Sequence, residues 1–163
     1  MNTIVLTLTT FFTGLIAGLF YAWSISVTPG LARVSDANYL QAFQSMNRAI
    51  LNPIFFIAFM GLVILLPLLS YMYYSSPEST QFWFILSAAV LYLAGVMAVT
   101  IFGNVPMNNT LEVFQVGSMS SDQMESFRLG FEKKWNSLNM IRTICSSLSF
   151  ILMIMVCIQN SSK

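Results

Sequence analysis

Two arginines and a group of amides stand beside long apolar runs, and they are the residues of this sequence best equipped for chemistry. Arg48 and Arg142 carry permanent charge, Asn47, Asn52, Asn104, Asn108, Asn109 and Asn139 carry paired donors and acceptors, and Trp135 and Thr143 add an indole N–H and a hydroxyl. Around an apolar space, guanidinium groups stabilise an anionic oxygen and amides orient it. That chemistry suits an oxygen-bearing aromatic or lipid-like ligand. Arg48, Arg142 and Asn139 are the catalytic candidates, and Asn47, Asn52, Asn104, Asn108, Asn109, Trp135 and Thr143 the substrate-binding ones. An arginine at mid-helix in a bilayer costs about 2.5 to 3.5 kcal/mol on insertion scales, so each needs a partner or a role. Asn139, Arg142 and Thr143 share one helical face, expected to point inward. A plainer reading stands beside this one: the asparagines cap helix ends and bond carbonyls freed at Pro53 and Pro106, while both arginines reach out to lipid phosphates.

Other chemistries lack their residues. The chain has no histidine, and its six carboxylates are scattered singly, so neither a histidine zinc site nor a paired-carboxylate metal site is expected. A net charge of +1 gives no electrostatic reason for a nucleic-acid partner. Cys145 and Cys157 lie on one apolar run, roughly 18 Å apart as helix, too far for a disulfide.

The elements that must position these groups are helices crossing a membrane. Of 163 residues 56% are hydrophobic and 8% charged, against about 25% charged in soluble proteins. Uncharged runs long enough to span about 20 helical residues predict an all-α, four-helix transmembrane bundle, one domain over 1–163, with spans near 4–28, 50–74, 80–103 and 138–159. Met1-Asn2-Thr3 has no basic side chain, so the first run is expected to be a permanent span rather than a cleaved leader. Tyr74-Ser75-Ser76-Pro77-Glu78 reads as the tight break between spans two and three, and Pro67 should kink span two. Thr143 to Ile158 is short and must borrow length from the preceding segment. Both longer connections are expected to hold interfacial helices, one capped by Ser35-Asp36 and one capped by Ser120-Ser121-Asp122 and continuing into the fourth span, with apolar faces on the membrane or the bundle.

Four spans bring the end of the first, start of the second, end of the third and start of the fourth to one side, where the polar residues gather. Arg33, Arg48, Arg128, Lys133 and Lys134 on that side, against Lys163 on the other, predict cytoplasmic long connections and both termini outside, in a bacterial inner membrane. Gly14, Gly18, Ala22, Ser26 and Gly30 place a small residue every four positions of the first span, for packing within the bundle or, alternatively, for a homo-oligomer.

Tyr21-Ala22-Trp23-Ser24 through Thr28-Pro29-Gly30-Leu31, Asn47-Arg48-Ala49-Ile50-Leu51-Asn52-Pro53, Asn104-Val105-Pro106-Met107-Asn108-Asn109 and Trp135-Asn136-Ser137-Leu138-Asn139-Met140-Ile141-Arg142-Thr143 form an ordered set of motifs. In these the sequence resembles the anthrone oxygenase-like family of small membrane proteins. The resemblance implies oxidation of an anthrone to an anthraquinone by molecular oxygen without metal or flavin, with Arg48 and Arg142 stabilising the substrate anion and Asn104, Asn108 and Asn139 orienting its oxygens. Many relatives have histidine, a natural general base, where this chain has Met140. Glu112 and Glu132 flank the same face, but an exposed glutamate is a weak base for this task. The competing function is a non-catalytic lipid- or partner-binding membrane protein.

Overall fold

The computed structural model describes residues 2–74 and 79–161, and among these all regular structure is helical. Five long helices, α1 (Thr3–Leu31), α2 (Asp36–Ile50), α3 (Pro53–Tyr73), α4 (Thr80–Glu112) and α5 (Ser121–Asn160), account for most of it, with a 3-10 turn at Val116–Ser118 between the last two. All but α2 are long and apolar enough to cross a membrane, and they pack as an integral membrane four-helix bundle. Most of the expected break at Tyr74 to Glu78 lies outside the described residues.

Helix starts follow local chemistry. The Ser35 hydroxyl accepts from Asn38 N–H, the Asn52 side chain from Phe55 N–H at 3.0 Å with Pro53 in the first turn, and the Ser79 hydroxyl from Phe82 N–H. At α5 the bonds are reciprocal. Ser120 Oγ accepts from Gln123 N–H, and Gln123 Oε1 accepts from Ser120 N–H at 2.9 Å, a capping box.

Two helix ends differ from the hydropathy reading. The second long apolar helix begins at Pro53 rather than 50, because Asn52 turns the chain and caps the helix. The third continues past 103 to Glu112, while the helix expected from the Ser120-Ser121-Asp122 cap runs from Ser121 straight into the fourth apolar run. Hydropathy registers where apolarity ends, whereas a helix ends where its backbone bonds end. α3 continues as helix on both sides of Pro67.

Two cores result. Leu62, Leu66, Leu69, Ile85, Tyr92, Val96, Met153 and Val156 are fully buried along the middle of the spans. There Tyr92 Oη donates to Phe59 O at 2.7 Å and Ser149 Oγ to Ala88 O at 3.0 Å, satisfying polar atoms that lipid would leave unpaired. Of the small residues on α1, Gly14 packs against Phe150 of α5, while Gly18, Ala22, Ser26 and Gly30 are exposed.

The second core is aromatic and fixes α2 onto the bundle. Phe43 meets Trp135 at 4.8 Å, Phe131 at 5.0 Å and Trp23 at 5.5 Å between ring centroids. Gln44 Nε2 donates to Leu111 O and Phe114 O, both at 2.8 Å, closing the end of α4. Arg128 of α5 completes the clasp: it pairs with Asp36 and Glu132 at 2.8 Å each and donates to the carbonyls of Val34 (2.8 Å) and Ala32 (3.0 Å). Its guanidinium lies over the Tyr39 ring. Burial, reinforced by nearby Glu132, pushes the Tyr39 phenol well above its ordinary pKa.

Candidate functional site

The site lies where two helices depart from α-geometry. α1 widens to a π-helix over Trp23–Val27, just before Pro29, and α4 does so over Thr100–Asn104, just before Pro106. A proline ring collides with the carbonyl four residues back, and one extra residue in the turn relieves that contact while the missing N–H needs no acceptor. A further π stretch, Leu91–Ala98, has no proline. It contains Gly95, where a β-carbon would overlap both Cβ and Sγ of Cys145 in α5. Residues from all three widened stretches or their edges face a common cavity of about 340 Å³, among them Trp23, Met97, Thr100 and Ile101.

The walls of this cavity are apolar apart from one end. Phe20, Phe55, Phe59 and Met97 form the apolar part, while Asn47, Asn108, Trp135, Asn139 and Arg142 gather at the polar part. Arg142 is 6% exposed. Its Nη2 donates to Asn139 Oδ1 at 2.8 Å and its Nη1 to Thr100 Oγ1 at 3.4 Å, and its guanidinium carbon sits 4.5 Å from the Phe20 ring centre and 5.2 Å from that of Trp135. Among the described residues no carboxylate pairs with it, and its Nε has no hydrogen-bond partner. A buried cation supported only by neutral oxygens and ring faces is an anion site without its anion's charge supplied by the protein.

A hydrogen-bonded tier holds Arg142 in place. Asn139 Nδ2 donates to Ser24 Oγ at 2.9 Å, Ser24 and Thr143 hydroxyls meet at 2.8 Å, and Thr143 Oγ1 reaches Phe20 O at 3.0 Å. Asn139 therefore presents its oxygen to Arg142 because its nitrogen is already committed to α1. Thr143 acts here by positioning and does not line the cavity.

The other sequence candidates divide. Asn108 Oδ1 accepts from Trp135 Nε1 at 2.9 Å, which orients the indole at the cavity edge. Asn47 lines the cavity with its Nδ2 buried and unpartnered. Asn104 is 1% exposed with both amide atoms unpartnered, next to the wall but not part of it. Asn52 is a helix cap bonded to its own turn. Arg48 departs furthest from its expected place: its side chain is 60% exposed and pairs with Glu112 at 2.7 Å. Together with Asn109 these two line a smaller, adjoining cavity of about 300 Å³ that shares Asn47, Ile50, Leu51, Val105 and Asn108 with the main one. Glu132 is bound to Arg128 and lies outside both cavities.

Sequence reasoning missed Thr100, Ser24 and the aromatic walls Phe20, Phe55 and Phe59. Ser24 sits inside a motif that the sequence displays, but nothing in its type distinguishes it from a serine facing lipid. Met140 is 47% exposed, whereas Asn139, Arg142 and Thr143 of the same helix are buried. Met140 is thus outside the cavity wall.

The Anthrone oxygenase family profile matches residues 55–152, most of α3 through most of α5. The chain belongs to the anthrone oxygenase family. The matched region carries Thr100, Asn108, Trp135, Asn139 and Arg142, whereas Phe20, Ser24 and Asn47 come from the flanking part of this anthrone oxygenase family member. No curated protein and no solved structure matches the chain.

Proposed function

We propose that the protein is a cofactor-independent oxygenase, or a related oxidoreductase, acting on a membrane-soluble anthrone- or quinone-like aromatic. The observation that carries this reading is Arg142, a buried cation with no carboxylate partner among the described residues, at the polar end of an aromatic-walled cavity. A ketone flanked by aromatic rings loses a ring-activated C–H proton to water at the polar end of the cavity, giving an enolate whose negative oxygen Arg142 holds. The apolar walls keep water from reprotonating it. The enolate gives one electron to dioxygen, the resulting pair joins as a C–O bond, and the hydroperoxide expels water: a CH₂ group and O₂ become C=O and H₂O. The proton first lost returns in that water. Asn139 and Asn108 supply orientation, and Trp135 a flat face.

A second reading is a non-catalytic binding protein for an anionic lipid-like molecule. It is favoured by the main cavity's wall, which among the described residues holds no carboxylate or lysine. Purified protein incubated with an anthrone under oxygen separates the two. The oxygenase forms quinone above the autoxidation rate and loses that excess in Arg142→Ala. Quinone formation at the autoxidation rate, with ligand retained, favours the binding protein. The basic residues Arg33, Arg48, Arg128, Lys133 and Lys134 support a cytoplasmic position for this end of the bundle.

A further inference from the structure

The cavity has two different edges, and their chemistry distinguishes what passes each. α3 and α4 pack together near Tyr73 and Thr80, keep some contact along Leu91–Ala98, and separate towards Thr100–Asn104. Where they separate, Phe56 and Met60 of α3 and Ile101 and Val105 of α4 line the cavity, and each also has an exposed outer side. Met60 lies roughly 10 Å along the axis from Pro53, well inside a hydrocarbon layer about 30 Å thick. The exposed side of this slot therefore meets acyl chains. The other edge is the smaller cavity, where the Arg48–Glu112 pair bridges α2 and α4 at 2.7 Å beside Asn109.

We propose that the ligand enters sideways from the lipid phase, through the slot between the first half of α3 and the second half of α4, as a lipid-dissolved aromatic bearing one acidic oxygen for Arg142. This rests on Arg142 as the anion site and deepens that reading by naming the route. A flat aromatic passing between Met60 and Ile101 exchanges one apolar surrounding for another. The same molecule coming through the smaller cavity would strip water from an ion pair and from Asn109. A wholly apolar lipid could also enter the slot, but it would leave the guanidinium without a counter-charge. An ionised or ionisable oxygen supplies it. The polar cavity then serves small species, the released proton and product water, with Asn108 and Asn47 common to both compartments.

The test uses the full chain carrying Trp83→Phe, reconstituted in phosphatidylcholine vesicles, with anthracene carboxylate as probe. Quenching of Trp23 and Trp135 is followed by stopped flow. Met60→Phe with Ile101→Phe, which narrows the slot, is expected to slow quenching about tenfold while the final quenching stays nearly unchanged. Met60→Ala with Ile101→Ala is expected to speed it, which guards against a narrowed variant that merely misfolds. Arg48→Ala with Glu112→Ala should leave the rate as it was. Acceleration on removing the ion pair, with no response to either slot variant, overturns lateral entry. Absence of quenching, or quenching of equal affinity in Arg142→Gln, overturns the ligand class. Turnover is not measured, so slot-dependent binding without quinone formation would remove the oxygenase reading and leave the route standing.

Discussion

Replacing Arg142 by methionine should abolish the preference for an acid over its neutral ester while leaving the ester's affinity nearly intact. Methionine retains most of the side chain's length and apolar stem, so the cavity keeps its shape and loses its charge. A carboxylate about 4 Å from the guanidinium gains roughly 4 kcal/mol at the effective dielectric of 20 that describes protein sites. At 6% exposure Arg142 is too buried for solvent to screen much of that. The ligand's own desolvation takes back part, leaving a net preference of about 2 kcal/mol, or roughly thirtyfold in affinity. The assay is a four-way cycle in bilayer nanodiscs: wild type and Arg142→Met, each titrated with anthracene carboxylate and with its methyl ester, read by tryptophan quenching. Removing the charge also relieves its burial, which offsets the lost bond to Asn139, so thermal stability should change little. Equal affinities of acid and ester in the wild type would refute the reasoning. So would a variant that loses both ligands alike, because Arg142 would then be a structural prop.

Three further outcomes follow from particular contacts. Gly95→Ala gains about 1 kcal/mol of helix propensity but drives a methyl into Cys145, so it should destabilise by about 2 kcal/mol net, seen as a lowered melting midpoint; Gly95→Ala with Cys145→Gly should recover part of it. Tyr39→Phe removes a buried hydroxyl that has no hydrogen-bond partner among the described residues and should stabilise by about 1 kcal/mol. Because the folded phenol is held above its unfolded value near 10, the wild type loses stability as pH rises past about 10, where only the unfolded state gives up the proton; the variant's alkaline limb should be flatter in pH-dependent melting. Met140→His should leave the acid preference unchanged, since its side chain is exposed away from Arg142; a new pH dependence of binding near neutrality would contradict this.

Much of the framework is legible from one sequence. Uncharged runs of sufficient length fix the number of spans, and Ser35, Asn52 and Ser120 mark helix starts through side chains that compete locally for free N–H groups. Arg142 and Asn139 were recognisable because charge and amides are costly at membrane depth, and that argument holds whatever the neighbours are. It also overreached. Arg48 carries the same charge beside an equally apolar run, yet it is exposed and paired with Glu112, sixty-four positions away in the chain. The amide at Asn52 serves its own helix. Nothing in residue type separates these fates.

What sequence alone determined is the solvent each segment prefers, because transfer of apolar and charged groups between water and lipid depends on composition over a few turns of helix. Tertiary structure alone decided which polar groups meet. Ser24 joins Asn139 across 115 positions, Thr100 of the widened stretch of α4 reaches Arg142, and among the described residues Arg142 ends without a carboxylate while Glu112 pairs with Arg48 and Glu132 with Arg128. Pairing is a property of distance and geometry. The chain's order encodes these only through the packing of whole helices.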